Sequence, residues 1–239
     1  MSNDTFEGLG DAVSKRELKI YWLVDISGSM AGDKIATVNR SIRAVIPELI
    51  DASDENPEIQ MYVRAMKFGS GAQWHTNETK IKDFKWYDLS VSGVTDMGAA
   101  LKLMAEELTP DRMAKRAIPP VLILMSDGEA TDDYEGGLQA LLGQKWARKS
   151  VRIAIAIGSD ANTDELAKFC SHPRENPPLV AERATDLIKF IKWASVEVSK
   201  SVSTSVIGTS SGVPVNIPPP PQPQVTIGGS SQNDDDDVW

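Results

Sequence analysis

Cysteine and histidine are nearly absent from this chain. Cys170 stands alone, which excludes an intrachain disulfide, a Cys-rich zinc site and a Cys-ligated iron–sulfur cluster. His75 and His172 are the only histidines, too few for His-based metal or triad chemistry. Basic charge is in deficit, with 25 Lys and Arg against 34 Asp and Glu, a net charge of −9. That balance argues against a nucleic-acid backbone or an anionic membrane surface as the partner. Long apolar runs are missing too. The longest strongly apolar stretch, Val121 to Met125, is far too short to span a bilayer. The opening MSNDTFEGLG lacks the basic start and apolar run of a secretion signal, so the expected location is cytoplasmic. What is present is ordinary for a globular protein: 239 residues, 41% hydrophobic and 25% charged. A chain this long buries roughly 70–75% of its unfolded surface and needs no staple.

Texture divides the chain into three. Residues 1–16 read as a flexible polar arm and 17–201 as the folded domain. The stretch 202–239 reads as a disordered Pro/Ser/Gly-rich tail, since it holds six of the 14 prolines and lacks Lys, Arg and Glu. It ends in Asp234, Asp235, Asp236, Asp237, Val238 and Trp239, an acidic stretch with an aromatic anchor that is expected to dock into a partner protein.

Within the domain, strand and helix periods alternate. Strands are expected at Leu18–Val24, Ile59–Phe68, Val121–Met125, Val151–Ile157 and Leu179–Val180, with Ala72–Thr76 pairing antiparallel to the second. Helices are expected at Asp33–Ile50, Met97–Leu108, Tyr134–Arg148, Thr163–Cys170 and Ala184–Lys200, the last with Leu187, Ile188, Ile191 and Val198 inward. The fold class is therefore α/β: a Rossmann-like, doubly wound, mostly parallel sheet with one antiparallel strand and helices on both faces. Ligands of such sheets bind at the carboxyl ends of the strands.

At those ends the chemistry is oxygen-rich. The first strand stops in Asp25-Ile-Ser27-Gly-Ser29, the loop before the helix at 97 carries Gly93-Val-Thr95-Asp96, and the strand at 121–125 runs into Ser126-Asp127-Gly128. Singly, each loop could merely cap a helix. Together they include two carboxylates and three hydroxyls that make a donor set for a hard cation such as Mg2+, with Mn2+ or Ca2+ as alternatives. Glu129, Asp132 and Asp133 lack the spacing of an EF-hand and are expected to form a solvated rim. Trp22, Trp74, Trp86, Trp146 and Trp193 are expected as core or boundary fillers, and Cys170 as a small buried hydrophobe.

D-x-S-x-S after a first strand, a Thr before a later helix and an Asp ending a buried strand resemble the von Willebrand factor A domain. The resemblance covers roughly residues 18–201. It implies that family's metal-ion-dependent adhesion site at Asp25, Ser27, Ser29, Thr95 and Asp127. It also implies a protein partner that supplies an acidic residue to the metal. Within the family, the opening IYWLVDISGSMAGDKIATVNRSI and the closing Phe190-Ile-Lys-Trp193 resemble the bacterial tellurium-resistance TerY group. That likeness implies a stress-response or signalling setting with a Ser/Thr kinase and a type 2C protein phosphatase. An ATPase- or chelatase-type assembly factor is the alternative. An aspartyl phosphohydrolase fits less well, because its second Asp, two positions after the nucleophile, is Ser27 here. With no G-x-S-x-G elbow around Ser27 or Ser29 either, the expectation is a non-catalytic binding module.

Overall fold

The computed structural model describes residues 15–159, 161–207 and 216–222. In chain order the strands are β1 (Arg16–Asp25), β2 (Ile59–Gly69), β3 (Gly71–Trp74), β4 (Thr79–Lys80), β5 (Val121–Ser126), β6 (Val151–Ile157) and β7 (Leu179–Ala181). The helices are α1 (Asp33–Glu55), α2 (Met97–Glu107), α3 (Tyr134–Gly143), α4 (Lys145–Lys149), α5 (Thr163–Phe169), α6 (Ala184–Lys192) and α7 (Val198–Ile207).

The strands form one sheet in the order β3-β2-β1-β5-β6-β7, with β4 also on β2. β3 and β4 run antiparallel to β2, and every other pairing is parallel. The mostly parallel sheet expected from the alternating periods is therefore observed. β1 shows why its run of apolar residues is nearly unbroken. Leu18, Ile20, Trp22 and Val24 enter the core beneath α1, α6 and α7, while Tyr21 and Leu23 enter the one beneath α2, α3 and α5. A strand buried on both faces has no solvent side on which to place polar residues. The chain leaves β1 towards β2 on one side and later returns to β5 on the other. The switch point thus lies between the carboxyl ends of β1 and β5, where ligands of doubly wound sheets bind.

Several expected boundaries shift. α1 continues past Ile50 to Glu55, with Pro47 on its exposed side. The stretch Tyr134–Arg148 is two helices, not one. Gln144 is extended between them, and Arg148 Nη1 donates to the freed carbonyls of Leu142 and Gly143. The last helix reaches Ile207 rather than Lys200, through a π-helical turn at Trp193–Glu197. The turn places Ser195 where its hydroxyl accepts from Trp22 Nε1 at 3.0 Å. Ile188 faces outward, at 40% exposure, because Leu187, Phe190 and Ile191 already form the inner face of α6. Beyond α7, Asn216–Gln222 lies against the domain. Ser201 Oγ donates to the Asn216 carbonyl at 2.7 Å, and Ile217 packs on the core. Asp234 to Trp239 and residues 1–14 lie outside the described residues. Among the described residues, no helix is long and apolar enough to cross a membrane.

Candidate metal site

β1 delivers Asp25 to the sheet edge, and the chain then turns sharply through a single 3-10 turn, Gly28–Met30, before α1. Gly32 makes the entry to α1 at φ 77°, a conformation glycine adopts without strain. The Thr95 loop is fastened directly onto this turn. Gly28 N donates to the Gly93 carbonyl at 3.1 Å, and Ser92 N donates to the Ile26 carbonyl at 2.6 Å. Gly93 is at φ 85°, and a Cβ there would lie 2.5 Å from Ser70 N, so close an approach to the β2–β3 turn requires glycine. The third loop locks onto the second by a reciprocal pair. Thr95 N donates to Thr131 Oγ1, and Thr131 N donates to the Thr95 carbonyl.

The five residues picked out in the sequence come together at this junction. Ser27 and Ser29 share a hydroxyl hydrogen bond of 3.0 Å, and Ser29 Oγ donates to Asp127 Oδ1 at 2.7 Å. A Cβ at Gly128 would lie 3.4 Å from Thr95 Oγ1 and 3.9 Å from Ser29 Oγ, so both hydroxyls converge on that glycine. Asp25, Ser27, Thr95 and Asp127 are buried, while Ser29 is exposed and opens the cluster to solvent.

Asp25 is the most constrained of them. One carboxylate oxygen accepts from Ser27 N at 2.7 Å and the other from Ser126 Oγ at 2.6 Å. Burial raises its carboxyl above the usual carboxylate range, and neighbouring Asp127 adds to the rise; the Ser126 and Ser27 hydrogen bonds oppose both. A buried, desolvated carboxylate beside a second one and three hydroxyls fits a divalent cation, whose charge offsets the desolvation and whose coordination is met by oxygen alone. Among the described residues no cluster of three or more His, Cys, Asp or Glu is placed to hold a metal ion, so a cation at this junction would need hydroxyl donors beside the two carboxylates.

The sequence pattern does not single out every residue at this junction. Ser126 reads as one member of a loop, yet its hydroxyl anchors Asp25. Lys34, in the first turn of α1, places its ammonium 2.7 Å from Asp127 Oδ2, so Asp25 and Asp127 are not the only formal charges at the site. The expected solvated rim needs correction as well. Asp132 accepts from Gly98 N and Ala99 N at 2.7 Å each and so caps α2 behind Thr95. Asp133 caps α3 through Gly136 N while pairing with Lys102, which holds its carboxyl below the usual range. Asp133 nonetheless stays solvent-exposed and, with Glu129 bonded to Asn162, fits the rim; Asp132 is the one that turns away to α2. Asp133 directly before α3 is a capping signal readable in the sequence, whereas nothing local announces that Asp132 reaches α2.

The remaining singled-out residues are structural. Trp22 and Trp193 are buried, and Trp74, Trp86 and Trp146 are half-buried. His75 Nε2 meets the Tyr87 carbonyl at 2.8 Å, with the ring edge-on to Trp86. Burial pushes the Cys170 thiol up to about 11, so it stays protonated and inert.

The doubly wound sheet gathers Asp25, Ser27, Ser29, Thr95 and Asp127 at its switch point. The chain belongs to the von Willebrand factor type A domain family, whose profile matches residues 19–192. Solved structures share the fold at low identity. Proximal thread matrix protein 1 of the mussel byssus, solved with its MIDAS motif occupied by zinc, is 19% identical over 77% of this chain and 48% of its own, at a TM-score of 0.55. A von Willebrand factor type A protein of Catenulispora acidiphila is 17% identical over 78% and 43%, at 0.57. An ArnB paralog of Sulfolobus acidocaldarius is 17% identical over 75% and 45%, at 0.55. The chain spans less than half the length of each of these three proteins.

Proposed function

We propose that this protein is a non-catalytic, metal-dependent protein-binding module, with Mg2+ held by Asp25, Ser27, Ser29, Thr95 and Asp127. The observation that carries this reading is the convergence of the Ser27, Ser29 and Thr95 hydroxyls beside only two carboxylates. A cation held mainly by neutral oxygens stays electron-poor and offers a coordination position to an incoming carboxylate. Ser29, as the exposed member, lies where an Asp or Glu of a partner protein would enter. Asp25 is ill suited to nucleophilic catalysis, because both its oxygens are engaged and the group is 0% exposed. The surface cavity of about 820 Å³, bordered by Val151, His172 and Pro219, lies at the opposite end of the sheet from these loops.

The finer setting is a cytoplasmic, TerY-like system with a Ser/Thr kinase and a type 2C phosphatase as associates. Its support is the likeness of the opening around Asp25 and of Phe190 to Trp193. The Asp234–Trp239 segment is a second partner-binding element in the same reading. The test is a pull-down with and without EDTA, using wild type, Asp25→Ala and Thr95→Ala. Capture that requires divalent metal and fails in both variants supports the module; capture indifferent to metal and to both substitutions overturns it.

A further inference from the structure

We propose that Lys34 is a built-in counter-cation of Asp127, which lowers the affinity of this site for divalent metal. The inference rests on the metal-site reading above and adds to it a residue outside the five oxygen donors.

Position 34 is a poor place for a lysine on helical grounds, because the first turn of a helix disfavours a cation. Its geometry explains the placement. Lys34 Nζ donates to Asp127 Oδ2 at 2.7 Å, with the lysine side chain 13% exposed and the Asp127 side chain fully buried. The other oxygen, Oδ1, accepts from Ser29 Oγ at the same distance. One buried carboxylate therefore serves the ammonium on one side and the hydroxyl set on the other. Gly32, at φ 77°, turns the chain so that Lys34 follows the serine loop within a few residues and still reaches back across to β5.

The contact decides what Lys34 does to a metal. Its ammonium lies 2.7 Å from one oxygen of Asp127, the carboxylate that would also face the cation. A divalent ion brought to that carboxylate meets a positive charge already in place. At low exposure this like-charge repulsion is little screened, so it weakens metal binding directly.

The test is calorimetric Mg2+ titration of wild type, Lys34→Met, Lys34→Arg and Asp25→Asn. Lys34→Met is expected to bind Mg2+ about tenfold more tightly than wild type or better, and Lys34→Arg, which keeps the charge, to stay near wild type. Thermal unfolding gives a second readout. Without Mg2+, Lys34→Met melts below wild type because Asp127 loses a partner, and Mg2+ raises its Tm by more than it raises the wild type's. Lys34→Gln, which keeps a donor without the charge, carries the same test if the Met variant does not fold. Equal Mg2+ affinity in wild type and the neutral variants, with Asp25→Asn silent, overturns the role of Lys34 and leaves the metal site standing. Binding by Asp25→Asn at wild-type strength, or by none of the proteins, overturns both.

Discussion

Asp25 and Ser126 stand 101 positions apart in the chain and 2.6 Å apart in space, joined by a hydroxyl-to-carboxylate hydrogen bond across the ends of β1 and β5. This bond ties the two sides of the topological switch point together and aims the Asp25 carboxylate.

Replacing Ser126 with Ala removes that donor and leaves a fully buried carboxylate oxygen without it. The expected cost is about 1–3 kcal/mol of stability, typical of a buried polar group deprived of its partner. Urea unfolding checks this. Mg2+ affinity is expected to fall as well, because the carboxylate loses its orientation while remaining in place.

Asp25→Asn separates charge from shape. Burial raises the carboxyl of Asp25 in the folded protein, so its ionisation works against folding. In metal-free solution its contribution is fully present below the ordinary carboxylate value of 3.8 and is lost as pH rises through the higher folded value. The Asn variant has no such loss. Its stability in EDTA is expected to equal or exceed wild type at neutral pH, while Mg2+ no longer binds it. Unfolding in EDTA at acid and neutral pH checks the sign; an Asn variant clearly less stable at neutral pH contradicts it.

Gly93→Ala tests how the Thr95 loop is seated. At φ 85°, with the new Cβ 2.5 Å from Ser70 N, the loop must shift away from the β2–β3 turn. Backbone strain of this kind costs roughly 1–3 kcal/mol. The shift also moves Thr95 from the Ser29 hydroxyl, so Mg2+ affinity and Tm are expected to drop together.

Truncation after Gln232 removes Asp234 to Trp239. Mg2+ affinity is expected to stay unchanged, because all five proposed ligands lie within β1, α2 and β5 or their adjoining loops. At least one co-purifying partner is expected to be lost. Retention of every partner at wild-type strength would show that the segment binds nothing of consequence.

Much of this protein follows from its local pattern. The apolar run of β1, the alternating periods and the loops carrying Asp25, Ser27, Ser29, Thr95 and Asp127 are all readable in order along the chain, because burial on two faces and turns at strand ends impose composition locally. The tertiary structure alone decides what those loops do to one another. Lys34 reads as an ordinary surface lysine until β5 brings Asp127 beneath it, and Asp132 reads as rim until α2 presents its N-terminal amides to it. Ile188 matched an inward period, but the crossing of α6 over the sheet chose Leu187 and Ile191 and left it outside. Spacing in sequence specifies which face of an element a residue occupies. The charge and the donors that meet that face come from other elements, and only packing brings them together.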